Sequence, residues 1–187
     1  DVLDLTKNSN FEECCFLLLH DHLPNKIEYE EFVSNLKDAR RIPEQMQKNM
    51  RNWRKNAHPM DVLQAFVAAL AGYYDEQGSE KKISQQRAIN LIAKVPTIIA
   101  SWDRVRNGKE PIKPDPTLSH ASNFLYMLTG NKPDKEMERV FDVCLILHAD
   151  HTFNASTFAA REVASTRAHM YSAVSAAVGA LSGELHG

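Results

Sequence analysis

The sequence predicts an all-α fold. Apolar residues recur at the three- and four-residue spacing of helix faces over most of the chain, and no segment alternates apolar and polar residues as a strand would. Capping residues or prolines stand at the breaks in that pattern.

Ser9-Asn10-Phe11-Glu12 has the form of a capping box, and FEECCFLLLH after it is expected to continue to a stop at Pro24. Asn25 to Lys37 carries a second helical period, with Ile27, Tyr29, Phe32, Val33 and Leu36 on its apolar side. Pro43 opens a third helix, expected to reach about Lys55. Pro59 stands at the first helical position of MDVLQAFVAALAGYY, whose wide face of small apolar residues predicts deep burial. Residues 83–106 form a long helical pattern around Pro96. The missing N–H and the clash with the preceding turn predict a kink there, or two helices.

Asn107 to Pro116 holds one glycine and three prolines and reads as a loop. Thr117 or Ser119 caps LSHASNFLYML, which ends at Gly130, and Pro133 opens DKEMERVFDVCLILH. Asn154 or Ser156 caps a helix through about Arg167. A last helix, from about Met170 to Leu181, is almost all Ala, Val, Ser and Gly. These two final helices are too apolar for a surface and are expected at the centre of a bundle or in a tight subunit interface.

The length of 187 residues suits one domain. A net charge of −2 gives no electrostatic case for nucleic acid. The one basic cluster, KNMRNWRK at Lys48 to Lys55, reads as a solvated helix face or as a local anion or partner site. No apolar run reaches the roughly 20 residues of a membrane span, and no signal peptide opens the chain. Cys14, Cys15 and Cys144 make neither a disulfide framework nor a zinc spacing. All three lie in apolar periodic segments, so core packing in a reducing, cytoplasmic setting is expected.

The polar run His148-Ala149-Asp150-His151-Thr152-Phe153-Asn154-Ala155-Ser156-Thr157 lies between two apolar segments, where polar groups must find partners. His148 falls in a last helical turn, where an imidazole binds free carbonyls. His148-x-Asp150-His151 lacks a third ligand nearby, so no metal is expected. His151 lies in the connection, facing the start of the next helix. The free N–H groups there, with Asn154 and Ser156, form either a carboxylate-binding corner or a plain capped turn. His186 stands between Gly183 and Gly187, residues that permit positive φ and close approach of a ligand. His20, His22, His58 and His120 read as helix ends and caps.

HADHTFNASTFAAR followed by MYSAVSAAVGALSGELHG closely resembles the citrate synthase family, with its H-x-D-H-x-x-N-A-S-T segment, MYSA helix and G-P-L-H-G turn. FEECCFLLLHDHLP, His58-Pro59-Met60 and SHASNFLYML are similar to further family segments, so the resemblance spans the chain. It is nearest the smaller bacterial and archaeal type, which includes 2-methylcitrate synthases.

The resemblance implies an all-α homodimer of large- and small-domain subunits, joined through the central helices. It implies an acyltransferase that condenses acetyl-CoA with oxaloacetate and water to citrate and CoA. No cofactor beyond the coenzyme A thioester substrate is implied. The position matching His186 polarises the thioester carbonyl and is the catalytic residue. The position matching His151 binds oxaloacetate, with Asn154 beside it, and Ser156 orients the His186 ring. The family's second catalytic histidine, catalytic aspartate and substrate arginines have no counterpart within residues 1–187. The chain is therefore expected to be an internal piece of a large domain, cut at both ends with the small domain lying after residue 187, and inactive alone. Two other readings stand beside this one: a 2-methylcitrate synthase using propionyl-CoA, and a non-catalytic helical dimerisation module. Glu184 replaces the family's proline, which loosens the turn. His169 stands where many members have aspartate, a better N-cap, so the last helix is expected to start less firmly.

Overall fold

Ten helices and no strand make up residues 1–186, which the computed structural model describes. They are α1 (Val2–Asn8), α2 (Phe11–His20), α3 (Lys26–Ala39), α4 (Glu44–Met50), α5 (Pro59–Ala69), α6 (Glu80–Arg106), α7 (His120–Thr129), α8 (Lys135–Ala149), α9 (Ala155–Ser165) and α10 (Met170–Leu181). A 3-10 turn, Leu70–Gly72, extends α5. The all-α expectation holds, and Ser119 and Asn154 cap α7 and α9 as anticipated, each accepting a backbone N–H from the helix it opens. The capping box expected from Ser9 to Glu12 does not form: Asn10 caps α2 by accepting the Glu13 N–H, one residue later, and Glu12 turns to α7. Asn25 caps α3. Asn25 and Glu28 complete a capping box.

The departures have local causes. α1 was not anticipated. It buries no residue, and its carbonyl end is held from outside, by Arg139 of α8 donating to the backbone of Thr6 and Ser9. α2 stops well before Pro24, because Asp21 takes a left-handed conformation (φ 63°) and its N–H closes on the Leu17 carbonyl at 2.8 Å. α4 ends at Met50, so the basic cluster is half helix and half turn. Its Lys48 pairs with Glu44, and its Arg51 grips Glu110 through both terminal guanidinium nitrogens. α6 passes through Pro96 as one 27-residue helix, about 40 Å long. Two residues flanking the proline tie it to α3: Lys94 Nζ reaches the Ala39 carbonyl, and Thr97 Oγ1 donates to the Arg40 carbonyl at 2.8 Å. That anchoring outweighs one lost backbone bond. Cys14 and Cys15 are buried as expected, but Cys144 is exposed on the outer face of α8.

The largest core surrounds α5. Val62, Phe66 and Val67 pack against Met46 and Met50 of α4, Ile98 and Trp102 of α6, and Tyr171 and Val178 of α10. A smaller core joins Phe16 of α2 to Phe32 and Leu36 of α3. α10 takes the central place expected of it. α9 does not: it buries no residue and leaves Phe158 exposed.

Several helix ends are finished by other helices. Asp142 of α8 accepts the Phe11 N–H that opens α2, at 2.9 Å. Glu12 of α2 accepts the His120 N–H that opens α7, at 2.8 Å. Arg40, fully buried at the end of α3, donates to the carbonyls of Asp115 and Leu118 just before α7. Each bond satisfies a backbone group that its own helix leaves free.

His120 is 4% exposed and its ring lies tilted against that of Phe11, the centroids 5.0 Å apart. Burial, reinforced by the Arg40 charge, lowers its pKa to about 4. The unfolded chain therefore takes up a proton before the folded one, and the stability His120 contributes above its unfolded value of about 6.5 is lost as pH falls towards 4. Glu12, its carboxyl pushed up by burial, acts with the opposite sign. His120→Phe, which keeps the aromatic contact, is expected to move the acid-unfolding midpoint, followed by circular dichroism, to lower pH.

Candidate active site

α9 and α10 form an antiparallel hairpin of 11 and 12 residues, nearly equal in length. The turn after α10 therefore ends level with the first turn of α9. Ser182 N–H closes on the Val178 carbonyl, Gly183 N–H on the Ala180 carbonyl, and His186 N–H on the Gly183 carbonyl at 3.0 Å. Gly183 does not use positive φ. Its lack of a Cβ matters for space, since one would lie 3.3 Å from the Ala180 carbonyl oxygen. Gly187 lies outside the described residues.

The hairpin brings together all four residues singled out in the sequence. His186 Nε2 accepts the backbone N–H of Ser156 at 3.3 Å. The His151 ring lies with its centroid 6.3 Å from that of His186, the planes inclined at 61°. Asn154 Oδ1 caps α9 by accepting Thr157 N–H at 2.5 Å, and also takes the Ser156 hydroxyl at 3.2 Å. Ser156 thus meets His186 through its amide, while its hydroxyl serves Asn154. Two N–H groups of the expected carboxylate corner are consequently occupied by the protein's own side chains.

A backbone N–H can only donate, so Nε2 of His186 carries a lone pair and the neutral ring holds its proton on Nδ1. His186 is half-buried and His151 exposed. Phe153 and Leu185 beside them are fully exposed. His148 turns away from this group, its Nδ1 on the Cys144 carbonyl at 2.7 Å, which is the structural role expected at a helix end. Asp150 ends α8 and is exposed. Arg161 and Arg167 are exposed as well. Among the described residues, no three His, Cys, Asp or Glu side chains converge as metal ligands would.

The start of α10 is held more firmly than its sequence suggests. His169 does cap it, Nδ1 accepting Ser172 N–H at 3.2 Å. Tyr171 adds a buried anchor that was not singled out in the sequence: its hydroxyl donates to Glu76 Oε1 at 2.5 Å and accepts from Asn90 Nδ2 at 3.0 Å. Burial and Glu76 push the Tyr171 hydroxyl pKa up. Burial alone would raise Glu76, but its bonds from Tyr171 and Arg87 bring it below the usual carboxylate range. The position in MYSA was the available signal, and it gave no hint of a partner 95 residues away.

A family model described as citrate synthase, C-terminal domain, matches residues 1–187. The chain belongs to the citrate synthase family. A citrate synthase from a Synechocystis strain is 44% identical over 187 residues, covering all of this chain and 47% of that protein. A Bacillus subtilis protein named citrate/2-methylcitrate synthase is 39% identical, covering all of this chain and 50% of its own length. The crystal structure of citrate synthase from Pyrobaculum aerophilum superimposes with a TM-score of 0.92 at 41% identity, over all of this chain and 49% of that one. The chain thus spans about half the length of these citrate synthase relatives. Among the described residues, no helix is long and apolar enough to cross a membrane.

Proposed function

We propose that the protein condenses acetyl-CoA with oxaloacetate and water to citrate and CoA, and that His186 is the catalytic donor this chain supplies. The observation that carries the reading is the Ser156 amide on His186 Nε2, with the His151 ring alongside. A methyl group beside a thioester is a very weak acid, and removing its proton places negative charge on the thioester oxygen. A neutral imidazole with its proton on Nδ1 donates to that oxygen as the charge develops. His151, whose ring lies beside that of His186, and the amide group of Asn154 bind oxaloacetate in this reading. No cofactor beyond the thioester substrate enters this reading.

The protein works as a homodimer in a reducing, cytoplasmic setting. Its central helices α6 and α10 supply an apolar groove of about 550 Å³, with Leu91, Ile92, Val95, Met170 and Val174 among its walls, which suits a subunit contact. The name of the Bacillus subtilis relative supports a second reading, 2-methylcitrate synthesis from propionyl-CoA.

Release of CoA by the intact protein, followed with a thiol-reactive dye, tests both readings. Oxaloacetate-dependent release is expected with acetyl-CoA. Faster release with propionyl-CoA would favour the second reading, and none with either would end both. His151→Ala is expected to raise the KM for oxaloacetate about tenfold, with a smaller change in kcat, as befits loss of a bond to a charged substrate.

A further inference from the structure

We propose that Asn154 is a positioning residue for His186, selecting which nitrogen of that ring carries the proton. The kinetic consequence rests on the role proposed for His186; the choice of nitrogen does not. Asn154 Oδ1 accepts two donors, the Thr157 amide and the Ser156 hydroxyl. Both lone pairs of that oxygen are engaged, which leaves the NH₂ of Asn154 as its group for a ligand.

Ser156 has two groups able to address His186 Nε2. Its amide only donates and demands a bare nitrogen there. Its hydroxyl can also accept, and would then favour a proton on Nε2. With the hydroxyl held on Asn154 Oδ1, the amide alone meets the ring, at 3.3 Å. Without Asn154 the hydroxyl is released beside the imidazole and the first turn of α9 loses the cap that holds the amide in place. The ring then divides between two protonation isomers, and only the one with Nδ1–H can donate to the thioester.

Nitrogen-15 NMR of the imidazoles reads this directly, with the His186 signals assigned by their loss in His186→Ala. In the unsubstituted protein, Nε2 of His186 is expected to resonate as a bare, pyridine-like nitrogen. In Asn154→Ala it is expected to move towards the protonated, pyrrole-like position and kcat to fall about fivefold, beside a rise in the KM for oxaloacetate from the lost Asn154 amide, a rise that by itself leaves the Nε2 signal where it was. Asn154→Gly supplies the same loss of oxygen at a helix start that glycine tolerates well, should the alanine variant not fold. Asn154→Ser, which can still cap, is expected to restore the bare nitrogen. So is the double variant Asn154→Ala with Ser156→Ala, which lacks the competing hydroxyl. An Nε2 signal that stays pyridine-like in Asn154→Ala or Asn154→Gly, at unchanged helix content, would overturn the inference even if citrate is formed. The expected NMR shifts in a protein that releases no CoA would sink the proposed function and leave the positioning role standing.

Discussion

His186→Ala is expected to lower kcat by about 10²- to 10³-fold, the usual cost of removing one donor from a developing oxyanion. Oxaloacetate affinity, measured by calorimetry on the same variant, should change little, because the contacts proposed for oxaloacetate come from His151 and Asn154, which the variant keeps. This division follows from the geometry. The Ser156 amide occupies Nε2, so the only donor His186 offers is Nδ1–H, and that donor gains in value as charge builds on the thioester oxygen. His186→Gln, which keeps an N–H donor on a more flexible stem, should fall between alanine and the unsubstituted enzyme. Survival of kcat in the alanine variant would show that the carbonyl is polarised by another group.

Glu12→Ala is expected to be the most destabilising of the substitutions considered, by about 3 kcal/mol in urea unfolding, whereas Glu12→Gln should cost about 1 kcal/mol or less. Glu12 is 4% exposed and holds the N–H that opens α7. Alanine leaves that N–H buried without an acceptor, opens a cavity, and removes a carboxyl group that favours the buried Arg40 guanidinium. Burial pushes the Glu12 carboxyl pKa up, so the charged form is already disfavoured, and a neutral amide of the same shape preserves the bond that matters. Equal losses in the two variants would show that charge, not the cap, is what Glu12 contributes.

Much of this was legible in the sequence. Ser119 and Asn154 announce their helices because a capping side chain acts on residues two or three positions away, and a linear reading captures so short a range. The pairing of His151 with Asn154 and Ser156 was visible for the same reason. His186 joined them through the motif resemblance, while the near-equal lengths of α9 and α10 explain why the two pieces meet. Other features were hidden because their partners lie far off in sequence. α1 depends on Arg139, and α6 survives Pro96 through bonds to α3. The exposure of Cys144 follows from which side of α8 faces α2 and α7, and periodicity alone did not resolve that. Ser156 was expected to orient the His186 ring. It meets that ring through its amide, while its hydroxyl goes to an acceptor two residues earlier, on Asn154, and the sequence did not show that division.

The borrowed caps bear on how the chain folds. The bond from Phe11 to Asp142 closes a loop of 131 residues, and that from His120 to Glu12 one of 108. Helical proteins ordinarily fold fast because their contacts are local, and loop closure is the entropic cost they avoid. Here Asn10 and Ser119 cap α2 and α7 locally, but the Phe11 and His120 N–H groups find their acceptors only when distant parts of the chain have arrived. The chain is expected to fold more slowly than its helix content alone would suggest.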